Sequence, residues 1–199
     1  MIILNPVKFM GFVAGTSLFA SYCLLSNPAH SAEISYQYSK LDEGSCMSLI
    51  VNEEEGYSEQ VCKGVDGIAV FVAEGDLRMS VAYRNQAATD RYFTFGGFNR
   101  VGDVVEWRLS DEEGYAKPYA TILRWYVSVG EPKDKQALVV SKIADDDFCI
   151  AGFVDASANK NANELARSIA DGVARSFVCG QDKPQWYGET GVLATALLQ

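Results

Sequence analysis

From Glu33 onward apolar and polar residues alternate with a period of two, the pattern of strands whose successive side chains point to opposite faces. Ser45 to Val51 (S-C-M-S-L-I-V) is the first strong run, closed by the acidic turn Glu53-Glu54-Glu55-Gly56. Tyr57 to Cys62 returns beside it as a hairpin and brings Cys62 toward Cys46. Ile68 to Ala73 is continuously apolar and reads as a central strand. After the Gly75-Asp76 break, Leu77, Met79, Val81 and Tyr83 alternate with Arg78, Ser80 and Arg84, the clearest hairpin in the chain.

Further strands are expected at Tyr92 to Phe95, Val104 to Leu109, Tyr119 to Val129, Ala137 to Ile143 and Phe148 to Val154. Gly96-Gly97, Asp111-Glu112-Glu113-Gly114 and Glu131 to Lys135 punctuate them. Short strands at regular spacing predict a mainly β (α+β) fold. Its core is an antiparallel meander forming a curled sheet, a sandwich or an open barrel.

One segment changes period. Leu165, Ile169, Val173 and Phe177 fall four apart, with Ala166, Ala170 and Ala174 beside them and Arg167, Asp171 and Arg175 elsewhere on the wheel. That spacing predicts an amphipathic helix over 161–178 packed on the sheet. Asn161 and Glu164 approximate a capping box, and Gly180 supplies the stop. Beyond Pro184, Trp186 is expected over an open edge of the core. The single domain then spans 33–187, with a loosely held tail at 188–199.

The first 32 residues differ from the rest. Lys8 precedes an uncharged stretch from Phe9 to Leu25, followed by the small residues Ala29, Ser31 and Ala32. This is the layout of a cleaved secretory signal, with cleavage after Ser31 or Ala32, and it predicts a periplasmic or secreted product. Its removal takes away His30, the one histidine of the chain. No later stretch is apolar enough for stable membrane insertion.

Export gives the remaining cysteines a meaning. Cys46, Cys62, Cys149 and Cys179 allow three pairings in an oxidising compartment. Cys46–Cys62 with Cys149–Cys179 is preferred because each pair brackets one local unit. Neither spacing suits a zinc ribbon or a C-x-x-C redox pair.

Charge narrows the partners. The chain carries 17 Lys and Arg against 26 Asp and Glu, a formal net charge of −9, and has no basic stripe for nucleic-acid phosphates. Without a histidine after residue 30, Ser-His-Asp, Cys-His and histidine-zinc chemistries are excluded for the exported product. No cofactor is expected.

Three acidic clusters remain: Glu53-Glu54-Glu55, Asp111-Glu112-Glu113 and Asp145-Asp146-Asp147. A carboxylate-based glycan hydrolase needs two such groups facing one cleft at about 5–10 Å. Calcium could use Asp145, Asp146, Asp147 and Asp155, whose oxygens flank one strand. Counted from Asp155, however, Lys160 and Ala166 stand where an EF-hand loop needs glycine and glutamate. Tyr92, Phe95, Trp107 and Trp125 are candidate rings for a sugar or an apolar segment, against the commoner role of filling a β-core. The leading expectation is a non-enzymatic binding or interaction module of the cell envelope. Its partner would be a protein or a glycan, and the acidic balance suits a basic protein.

The stretch F-C-I-A-G-F-V-D-A-S-A-N-K-N-A-N-E-L-A-R-S-I-A-D-G-V-A-R-S-F-V-C-G-Q-D-K-P, with P-Y-A-T-I-L-R-W at 118–125, resembles the ending of certain uncharacterised exported bacterial proteins. The likeness covers about a quarter of the chain. It implies a bacterial envelope setting and lends support to pairing Cys149 with Cys179; it implies no activity.

Overall fold

The computed structural model describes residues 33–42, 44–84, 91–111, 114–144 and 147–196. The expected export signal at 1–32, and Asp145 and Asp146, lie outside the described residues. Ten strands follow in chain order: β1 (Glu33–Lys40), β2 (Cys46–Asn52), β3 (Tyr57–Lys63), β4 (Ala69–Gly75), β5 (Arg78–Arg84), β6 (Asn99–Asp111), β7 (Ala116–Val127), β8 (Lys135–Ile143), β9 (Phe148–Asp155) and β10 (Gln185–Tyr187). The helix α1 (Ala162–Ile169) runs on through a π-turn over Ala170–Ala174, and a single turn, α2 (Leu193–Ala196), lies near the end.

The sheet is mixed and does not close into a barrel. β2 to β9 neighbour one another in chain order, mostly antiparallel, as a meander requires. β5 and β6 touch through one parallel pair only, Arg78 with Asn99. Two additions depart from a pure meander. β1 pairs antiparallel with the far half of β6, from Glu33 opposite Asp111 to Lys40 opposite Val104. β10 pairs parallel with β9. The expected strand at Tyr92 to Phe95 is only a bridge, Phe93 to Val81.

Period-two alternation decides what each strand buries. In the larger cluster Val70, Val72, Val81 and Tyr83 of β4 and β5 meet Val105, Trp107 and Leu109 of β6 and Leu123 and Trp125 of β7. The other face of β7 to β9 offers Ala120, Ile122, Leu138, Val140, Ala151 and Val154 to Ala162, Ala166, Ile169, Ala170 and Ala174 of the helix. These strands are therefore apolar on both faces, which is why their sequences read as near-continuous hydrophobic runs. Alanine lets the helix sit close. At Gly152 a Cβ would come within 2.8 Å of Tyr187 and 3.2 Å of Ile169.

The helix ends are held by side chains from elsewhere. The capping box expected at Asn161 does not form: its backbone (φ −100°, ψ 28°) is outside the extended region a capping residue uses, and its side chain makes no cap bond. Arg124 reaches Asn163 in the first turn, Nη2 to Oδ1 2.8 Å. At the other end Lys142 Nζ donates to the carbonyls of Arg175 (3.0 Å) and Phe177 (2.7 Å), a cation where the helix dipole is negative.

Two disulfides staple the fold, Cys46–Cys62 across the β2–β3 hairpin and Cys149–Cys179 from β9 to the stretch after the helix. Part of the stretch expected as a loose tail is held. Asp155 accepts the Gly191 amide (3.0 Å), Asn159 brackets Glu189, and Leu193 is fully buried. Trp186 stacks on Phe153 with ring centroids 5.0 Å apart.

Candidate interaction surface

Two polar rows face each other where the helix meets β6. Glu106, Arg108 and Ser110 alternate along the strand and so share a face, at about 6.8 Å per two residues. Arg167, Asp171 and Arg175 lie four apart along the helix, at about 6 Å per step. The near match of these repeats lets three consecutive pairs form. Arg167 donates to both oxygens of Glu106 (2.8 and 2.9 Å), Arg108 to both oxygens of Asp171 (2.9 and 2.8 Å), and Arg175 to Ser110 Oγ (3.2 Å).

The π-turn contributes to the alignment. In a regular α-helix each four-residue step drifts by about 40° around the axis. The wider π-turn winds less per residue and returns Arg175 toward the line of Arg167 and Asp171. A bulge acts similarly on β7. It leaves Tyr119 unpaired between Pro118 and Ala120, and the Tyr119 hydroxyl donates to Asp171 at 2.7 Å. Burial, and then the bond to the Asp171 carboxylate, raise the Tyr119 phenol above its ordinary value, so it stays a donor.

Chemically this network is closed. Glu106 and Asp171 are the two carboxylates that approach one arginine, Arg108, and each also has a second partner. A general acid or base needs a lone pair or proton free for substrate, and here every carboxylate oxygen already accepts a hydrogen bond. The row fastens helix to sheet.

The aromatic candidates divide. Phe95, Trp107 and Trp125 are buried in the larger cluster, Trp107 with its Nε1 donating to Ser39 Oγ at 2.8 Å. Phe95 and Trp125 pack edge to face with Phe93. Interior rings present no row for a sugar to stack on. Tyr92 is half-buried, lies under the Arg84 guanidinium and donates to Glu59 Oε1 at 2.6 Å. Burial first, then that bond, raises its phenol as well.

The acidic candidates also separate. Glu53–Glu55 lie at the β2–β3 turn, Asp111 ends β6 and Asp147 precedes β9, while Glu112, Glu113, Asp145 and Asp146 lie outside the described residues. Asp147 pairs with Arg91 and accepts the Phe148 amide. Asp155 is buried and takes the amides of Ser157, Ala158 and Gly191, a structural carboxylate at a turn. Among the described residues no three His, Cys, Asp or Glu side chains converge as a metal ion would need.

What remains open is apolar. Ile34, Tyr36 and Tyr38 stand exposed on one face of β1, and Met47, Leu49, Ile50 and Val51 stand exposed on β2. Met47 keeps 64% and Val51 63% of their surface, values ordinary for lysine and unusual for four such residues in a row of five. Among the described residues both strands have a single hydrogen-bonded neighbour, so each leaves one edge unpaired there. The run at 45–51 is legible as a strand in the sequence; its place at the margin of the sheet is not.

Family models, curated proteins and solved structures offer no match to this chain.

Proposed function

We propose that the protein is an exported, non-enzymatic interaction module of the bacterial cell envelope that engages a basic protein partner. The observation that carries this reading is the uncharged apolar strand β2, unpaired along one edge among the described residues, on a chain with net charge −9. Apolar area supplies affinity and opposite net charge speeds encounter. The disulfides fit an oxidising compartment. Among the described residues no helix is long and apolar enough to cross a membrane. In the same reading the sheet curls back as an open sandwich around the larger cluster, and an amphipathic helix covers the opposite face of β7 to β9.

The test is affinity capture from envelope extract at low and high salt, using protein recovered after export with its disulfides intact. The expected result is a basic protein released by salt. Absence of any salt-sensitive partner removes the reading.

A further inference from the structure

We infer that β2 binds its partner by strand addition, and that the partner segment is short, extended and apolar with lysine or arginine at both ends. This rests on the interaction reading above and names the chemistry of the bound segment.

Natural edge strands are usually blunted by lysine, proline, inward-pointing charge, a bulge or a covering element. β2 (C-M-S-L-I-V-N) has no charge and no proline, and four of its five central residues are exposed and apolar. It keeps one protective device, a bulge between Ser48 and Ile50. The bulge bends the strand and breaks a long ladder, so the edge suits a segment of a few residues rather than indefinite stacking. The Cys46–Cys62 bridge joins directly opposed residues of β2 and β3 and holds this edge in place before binding, which lowers the ordering cost.

Charge selects the occupant. Asp42 lies just before β2, and Glu53, Glu54 and Glu55 form the turn just after it. A second copy pairing antiparallel through β2 would bring the Glu53–Glu55 turn of each molecule beside Asp42 of the other, acid against acid at both ends. A segment with basic flanks reverses both contacts into attractions. Of the other terminal strands among the described residues, β1 has Glu33 at one end and Lys40 at the other and states no such preference, and β10 is only three residues long.

The experiment uses the exported, oxidised protein and three synthetic peptides of about nine residues. One has an alternating Val/Thr core between lysine pairs, one the same core between glutamate pairs, and one the lysine flanks with proline in the core. Binding is read by fluorescence anisotropy and the contact by amide hydrogen exchange. The lysine-flanked peptide should bind and slow exchange within 46–52, with the other two weaker by about tenfold or more. Val51→Lys, at an exposed edge position, should weaken it about tenfold. Reversing Glu53, Glu54 and Glu55 together to lysine should shift preference toward the glutamate-flanked peptide.

Equal binding of both flanked peptides, binding that tolerates the proline, or protection outside β2 overturns strand addition. A basic partner captured from extract whose footprint spares β2 does so too, while leaving the interaction reading in place. No captured partner and no peptide binding removes both.

Discussion

Arg108 and Asp171, 63 residues apart in sequence, meet through two parallel hydrogen bonds, Nε to Oδ1 and Nη2 to Oδ2. The arginine side chain is 9% exposed and the aspartate 28%, so the pair is largely withdrawn from water and held on a planar, two-point fit. It is the middle of three contacts that lock the helix to β6.

Removing one partner should therefore cost more than removing both. Asp171→Ala takes the two-point partner from a desolvated guanidinium, leaving it only the 3.3 Å contact to Glu106, and removes the acceptor of the Tyr119 hydroxyl; it is expected to lower stability by about 3 kcal/mol. Replacing Arg108 and Asp171 together by Met and Leu should recover a large part of that. Urea denaturation midpoints of the wild type, both single variants and the double variant check the order. Equal losses for single and double variants would contradict it.

Lys142 brings its ammonium onto two carbonyls at the end of the helix, those of Arg175 and Phe177. Lys142→Met keeps the apolar stem and removes the charge. The expected loss is about 1–2 kcal/mol, with faster amide exchange confined to residues around 170–178. Uniformly faster exchange would point to global destabilisation instead.

The two bridges should separate in their effects. Under the chain-entropy model each contributes roughly 3 kcal/mol, slightly more for Cys149–Cys179 with its separation of 30 residues than for Cys46–Cys62 with 16. Paired Cys→Ser variants should show local consequences as well. Loss of the first pair should expose β2 to exchange, and loss of the second should loosen the helix end. Thermal melts and exchange mapping read both.

Alkaline pH should weaken the fold. Burial lifts the phenols of Tyr83, Tyr92 and Tyr119 above the ordinary value of 10.0, helped at Tyr92 by Glu59 and at Tyr119 by Asp171. The unfolded chain gives up these protons first. The resulting stability is complete below about pH 10 and is lost as pH rises beyond it. Urea midpoints between pH 8 and 12 should fall steeply at the top of that range, and less steeply for Tyr92→Phe with Tyr119→Phe.

Hairpins were the readable part of this fold. Asp76-Leu77 joins β4 to β5 where Gly75-Asp76 breaks the alternation, and the Glu53–Glu55 turn joins β2 to β3. The two disulfides followed from the same locality, since each closes one unit. Boundaries moved by a few residues at most strands, and β6 extends to Asn99 because its first residues pair with Val127, Tyr126 and Trp125 of β7. The candidate surface was less readable. Glu106 and Arg108 were visible as one face of a strand, and Arg167, Asp171 and Arg175 as a row on the helix. Nothing in either row names the other.

Taken alone, the sequence determined where most strands and the helix lie, though not β1 or β10, because side-chain period and turn residues act over a few neighbours. It also determined the acidic balance and the cysteines that staple local units. Tertiary structure decided which strands neighbour one another across long separations: β1 on β6, β10 parallel to β9, and β2 at the margin of the described sheet. It decided that Phe95, Trp107 and Trp125 face inward while Met47 and Val51 face water. The physical reason is that burial is a property of the assembled sheet. An apolar alternating run has the same sequence at the centre as at the edge, and only its neighbours make it core or surface.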